Sequence, residues 1–389
     1  MAAAAPTQNA LRLPSLTGMR IIAAGMIFFF HAQFESIFTN HTTTSIYNGL
    51  LGQGGPTGVG FFFILSGFVL TWSARQDDTP RRFWRRRIAK IYPNHVVTFL
   101  AAGVLLLATV QTIHLGPALA NLFLLQAWTP NLSVTLSMNP VAWSLSCEAL
   151  FYLLFPFLLR RVLRIRPERL WLCAFVLLAL MWLVPTVVSL LPLPTDGPHI
   201  PWRNVSQWQF WLAYTFPPVR ALDFVLGMVM ARIVLSGRWI NLRLAPALVL
   251  LLAGFLAAGV VPTLYRMVAI TALPMALVIP AAATADVRGD RSFLRRRTWV
   301  WLGDISFAFY LWHRLVLKYC HMLVGSTHKW STLPGLGMLL LALAITIGLS
   351  HLLYKFVEVP LMRRLAKPRP RRTEAVATPP PAPSETPAG

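Results

Sequence analysis

The stretch MRIIAAGMIFFFHAQFE, Met19 to Glu35, is an apolar run of spanning character that carries three ionisable side chains, Arg20, His31 and Glu35. Such groups are costly inside a bilayer unless they face neighbouring helices or water. Arg20 and His31 lie eleven residues apart, which at about 100° per residue is within roughly 20° of three whole turns, and at 1.5 Å per residue about 16 Å of depth. Both therefore point to one side of a helix, at different levels. Glu35 follows His31 by one further turn on that face, where its carboxylate could hold the second ring nitrogen. The same residues also suit an arginine snorkelling to one interface, with the His and Glu at the far mouth.

Working outward, the composition sets the class. The chain has 389 residues, 56% hydrophobic and 12% charged, with a mean hydropathy of +0.58. A soluble chain carries about twice that charged fraction, which points to an all-α polytopic membrane protein. The first apolar segment is too long for a signal peptide and lacks its cleavage site. Cys147, Cys173 and Cys320 all lie in or beside apolar runs, and neither a disulfide framework nor a metal-ligand spacing is present.

Ten runs of spanning length fall near residues 18–37, 57–73, 93–113, 141–159, 170–191, 210–231, 244–261, 267–285, 299–324 and 335–359. An extra short or re-entrant piece is possible at 121–128. Ten crossings put both termini on one side. Of the Lys and Arg residues outside these runs, twenty-seven fall on the terminal side and only Arg203, Arg266 and Lys329 on the other. The positive-inside rule makes the terminal side cytoplasmic. The net charge of +22 is thereby explained as topology, with the lipid bilayer as partner and no nucleic acid required.

Several segments carry further candidates. After the first run, FTNHTTTSIYNGLLGQGGPTG reads as a polar external loop, and Ser66-Gly67 inside the next run marks close helix packing. In DDTPRRFWRRRIAKIYPNH six cations stand between Arg81 and Lys90; most suit anionic lipid head groups. Arg87 and Lys90, three apart just before a span, could grip phosphates instead. Glu148, inside NPVAWSLSCEALFYLLFP, needs a partner, and Arg20, His31 and Arg220 are available. A structural ion pair is the plainer alternative. Arg220 and Asp223 share one face of their helix and could neutralise each other. His313 lies in aromatic sequence, Glu358 reads as a helix terminus beside Pro360, and LPLPTDGPHIPWRNVSQWQ suits an interfacial aromatic belt or an acceptor mouth.

Together these stretches resemble the acyltransferase family 3 membrane proteins, which move acyl groups from acyl-CoA to hydroxyls. The resemblance runs from Leu13 to Arg364 and rests on the Arg, ten residues, His motif at Arg20 and His31, FFILSGF at 62–68, the basic segment ending in Ile91-Tyr92-Pro93, WSLSCEALFY at 143–152, LGDISFAFYLWH at 302–313 and VEVP at 357–360. Three positions depart from the family pattern: Lys90 stands where a second Arg is usual, Arg314 where Trp or Pro is common, and Phe307 where Tyr is frequent. The implied layout is a cytoplasmic tail over 1–12, a membrane domain over 13–364 and a Pro-rich disordered tail over 365–389, without the soluble esterase-like domain of some members. The length, LPSLTGMR and FPPVRALDFVLGM are most similar to enzymes that acylate macrolide antibiotics.

The resemblance implies His31 as the base, oriented by Glu148 or Glu35, with Arg20, Arg87 and Lys90 holding acyl-CoA (acetyl-, propionyl- or isovaleryl-CoA) and no metal. Ser146 or Cys147 could carry a covalent intermediate. The acceptor would be a macrolide or its sugar; a surface polysaccharide, peptidoglycan or lipid-linked sugar is the other expectation. From another class, a secondary transporter would also use intramembrane Arg, His and Glu, although no paired halves are visible.

Overall fold

Leu- and Ala-rich apolar runs satisfy their backbone groups internally as helix, and each of the ten segments is helical in the computed structural model, which describes residues 13–75, 78–194, 199–200, 205–325 and 327–365. The expected N-terminal tail, the C-terminal tail from residue 366 and part of the Pro- and Trp-rich external segment lie outside the described residues. In chain order the helices are α1 Pro14–Ala32, α2 His41–Leu51, α3 Gly54–Trp72, α4 Pro80–Ala108, α5 Leu115–Leu122, α6 Leu132–Thr135, α7 Trp143–Arg164, α8 Leu170–Leu190, α9 Gln207–Phe210, α10 Pro217–Leu235, α11 Leu244–Ala257, α12 Thr263–Val268, α13 Ala272–Arg288, α14 Arg297–Asp304, α15 Ser306–Val324, α16 Thr332–Leu353 and α17 Val359–Leu365. Two residue pairs, His199–Ile200 and Val205–Ser206, form a small antiparallel ladder.

Six helical stretches among the described residues are long and apolar enough to cross a membrane: Pro14–Glu35, His41–Trp72, Pro80–Ala108, Pro167–Leu190, Thr263–Arg288 and Thr332–Leu365. The other apolar runs form α7, α10, α11 and α14–α15, which carry more charge or, for α11, only 14 residues.

The centre is α3, sequestered nearly all round. Its closest neighbour is α10, and small residues decide that approach. A Cβ on Gly67 would strike the Phe224 carbonyl oxygen, and one on Gly227 would strike that of Ile64, so only glycine lets these backbones touch. The packing reading of Ser66-Gly67 holds. By contrast α4, α8 and α16 expose most of their apolar surface, as lipid-facing helices do.

Two local expectations change. The polar segment after the first span is not a loop: Asn40 accepts from the Thr43 N–H and caps α2. The basic segment before Pro93 is helical from Pro80, making α4 29 residues, about 44 Å long and longer than a hydrocarbon core, so its arginine-bearing end reaches the interface. At 121–128, α5 ends at Leu122 and only a short 3₁₀ turn follows, Gln126–Trp128.

Candidate active site

His31 sits on the last turn of α1, half-buried, and its ring is held from two directions. Its Nδ1 lies 3.0 Å from the Ile27 carbonyl oxygen and 3.0 Å from Nε2 of His313. His313, fully buried on α15, has its own Nδ1 2.6 Å from the Tyr310 carbonyl oxygen. Carbonyls only accept, so Nδ1 of His313 carries its proton and, in the neutral ring, Nε2 is the acceptor. Nδ1–H of His31 then donates to both Ile27 and His313. This leaves the His31 Nε2 lone pair free, with no protein partner among the described residues.

That ring borders a cavity of about 340 Å³ walled mainly by aromatic side chains, including Phe30, Phe34, Trp143, Phe210, Tyr214 and Tyr310, with Arg314 at its edge. Glu35 does not hold the His31 ring. Its carboxylate takes the Arg314 guanidinium and lies 3.4 Å from Nδ1 of His321. After α1 ends, a 3₁₀ turn over Gln33–Glu35 rotates Glu35 off the α-helical register that the four-residue spacing assumed.

The cationic candidates assemble below. Arg20, Arg87, Lys90 and Glu148 line one cavity of about 110 Å³, together with Tyr152 and Ser66. Glu148 lies among Lys90, Arg20 and Arg87 rather than beside His31. A narrower cavity of about 50 Å³ continues from it, sharing Arg20, Phe62 and Glu148. This in turn shares Val59 and Tyr310 with the His31 cavity. A string of spaces thus runs from the basic end of α4 to His31. The Tyr310 hydroxyl at the join is fixed, donating to the Val141 carbonyl oxygen at 2.9 Å and lying 2.8 Å from Ser144 Oγ.

Arg220 is not on this path. It is buried with Asp223 at 3.1 Å, beneath the rings of Phe63 and Tyr214, and braces the core. Ser146 Oγ is bonded to the Leu124 carbonyl oxygen and Cys147 Sγ lies 3.5 Å from that of Thr215; neither lines the string.

The sequence presents Glu358 as a helix terminus, but the structure sets it beside the cationic cluster. Glu358 is buried, accepts from Asn94 Nδ2 at 2.6 Å, and feels Lys90 and Arg20. A π-helical turn over Tyr354–Glu358 places it there. A lone carboxylate in an apolar run was the available signal.

Cations at one end of an enclosed path and a free imidazole nitrogen at the other suit transfer between two bound substrates, and comparison with known proteins fixes the class. The model for the Acyltransferase domain matches residues 13–355; the chain belongs to this family, the acyltransferase family 3, and is a multi-pass membrane O-acyltransferase. It is 40% identical to Acyltransferase MdmB of Streptomyces mycarofaciens, over 97% of each chain. It is 29% identical to Exopolysaccharide production protein ExoZ of Rhizobium meliloti, over 80% of this chain and 90% of that one. To Peptidoglycan O-acetyltransferase OatA of Listeria monocytogenes it is 25% identical, over 90% of this chain but 56% of that protein. No solved structure matches. The transporter expectation is set aside by this membership.

Proposed function

We propose that this enzyme transfers a short acyl group from acyl-CoA, loaded from the cytoplasmic side, to a hydroxyl of a macrolide antibiotic or its sugar. The observation that carries the reading is the string of three cavities from Arg87 and Lys90 to His31, each sharing wall residues with the next. It suits an elongated donor whose anionic end stays by the cations while its thioester extends inward. The frame is ten crossings with both termini cytoplasmic, over a membrane domain of 13–364.

In this reading His31 Nε2 takes the acceptor hydroxyl proton as oxygen attacks the thioester carbonyl. The tetrahedral intermediate collapses, the C–S bond breaks, and the CoA sulfur leaves with the proton from His31. Arg20 lies about 16 Å below His31 along α1, which suits the donor's shaft or phosphates better than its carbonyl oxygen. Glu148 positions Arg20 and Lys90. Transfer is direct, since Ser146 and Cys147 face away from the path.

The acceptor argument rests on the His31 cavity. Its aromatic walls suit a lipophilic molecule better than a glycan, and its 340 Å³ is near the small end of ligand pockets, so only the hydroxyl-bearing edge would enter. The 40% identity to an acyltransferase over nearly the full chain supports a shared acceptor class more than the 25% match to a peptidoglycan enzyme does.

The test uses purified protein with acetyl-, propionyl- and isovaleryl-CoA, each beside a macrolide acceptor, and follows product by mass spectrometry. A product heavier by one acyl group is expected. Transfer to peptidoglycan fragments or polysaccharide alone would overturn the acceptor; absence of both transfer and CoA binding would overturn the donor.

A further inference from the structure

Beyond the inner cavity, at the cytoplasmic end, lies a larger space of about 400 Å³ whose wall includes Arg75, Arg86, Arg87 and Arg160. Resting on the acyl-CoA reading above, we propose that this vestibule is a phosphate site that holds the 3′-phosphorylated adenosine diphosphate end of the donor, and so selects CoA thioesters over those lacking a nucleotide.

Three separate chain segments converge on it. Arg75 comes from just beyond α3, Arg86 and Arg87 from α4, and Arg160 from α7. Against four guanidinium groups there is, among the described residues, one carboxylate in the wall, Asp78, and it is taken by Arg86. Neither Arg75 nor Arg160 makes a side-chain hydrogen bond or ion pair among the described residues. Arg87 Nε is buried without a partner. Unpaired guanidinium groups facing one concavity repel each other, and a polyanion relieves that repulsion through paired N–H donors.

The rest of the wall is largely apolar: Phe83 and Phe155 line the space and stack on each other with centroids 4.8 Å apart, which holds the arginine-bearing end of α4 against α7. Continuity fixes the ligand's direction, because Arg87 and Leu70 belong both to this vestibule and to the cavity holding Arg20, Lys90 and Glu148. Phosphates held here leave the rest of the donor pointing along the path toward His31.

A lipid phosphate offers the same chemistry, so the test separates the sources. Wild type and the R75Q/R160Q double variant are reconstituted in nanodiscs of phosphatidylcholine, without and with phosphatidylglycerol, and assayed with acetyl-CoA and S-acetylpantetheine. In wild type kcat/KM favours acetyl-CoA. In the double variant that preference falls roughly tenfold or more, mainly through KM for acetyl-CoA, as loss of charged hydrogen bonds to phosphate predicts. R75K/R160K keeps charge but loses the fork and falls between. Gel filtration and thermal unfolding confirm the fold. A double variant with unchanged preference overturns the vestibule while leaving the acyl-CoA reading intact. An effect of the arginines that appears only with phosphatidylglycerol, equally for both donors, assigns them to lipid and also overturns it. Wild type that uses neither donor overturns both.

Discussion

Replacing His313 isolates the tautomer argument. Nδ1–H of His31 has two acceptors, Ile27 at 3.0 Å and His313 at 3.0 Å, and H313A deletes the second while sparing the first. The preferred tautomer survives, but the ring loses one of its two anchors. A net hydrogen bond is worth about 0.5–1.5 kcal/mol, and a cavity beside a formerly packed ring adds loosened orientation, so about 1.5–2.5 kcal/mol of transition-state stabilisation goes. At about 1.4 kcal/mol per factor of ten, kcat falls by roughly 10- to 70-fold. KM for either substrate should move little, because His313 lines none of the three cavities. H313Q supplies an amide oxygen that can accept the same proton and should regain most of the loss. The assay is steady-state transfer by mass spectrometry, with melting temperature in detergent tracking the fold. A kcat within twofold of wild type in H313A, or H313Q no better than H313A in an equally stable protein, would refute the reasoning.

Three other substitutions probe separate parts of the design. H31A removes the proposed base and should cut turnover by about 10²- to 10⁴-fold with its melting temperature within a few degrees of wild type; retained turnover would end that role. E35Q should leave kcat within about threefold and raise KM for the acceptor, since Glu35 holds Arg314 and not the imidazole; a hundredfold drop in kcat would restore the orientation that the sequence spacing suggested. D223A strands Arg220, 1% exposed, and should cost about 3–5 kcal/mol. Restored thermal stability in R220M/D223L is expected, and a melting temperature unchanged in D223A would remove the ion pair from the account of the core.

What the sequence disclosed follows from where its signals are local. Apolar run length locates the helices; a charge inside an apolar run announces a polar interior, which singles out Arg20 and Glu148, while Arg87 and Lys90 stand out by their three-residue spacing just before a span, and all four line one cavity. The failures are non-local or depend on helix irregularity. His31 and His313 are 282 residues apart, and no periodicity couples them. Glu35 has the right spacing for His31, but the turn changes from α to 3₁₀ before reaching it. Glu358 looked like an ending because the extra residue of a π turn cannot be read from composition. Of the vestibule arginines, Arg75, Arg86 and Arg160 are hidden among topogenic charges, whose sequence does not distinguish a cation facing lipid from one facing its fellows across a concavity.

The narrow join at Val59 and Tyr310 has a kinetic corollary. In the proposed reading donor and acceptor bind on opposite sides of it, so neither needs to leave before the other enters. Both must be present at once for reaction, and initial-rate lines with the two concentrations varied should intersect rather than run parallel. An inhibitor bridging the constriction would compete with both substrates, and either half of it alone with only one.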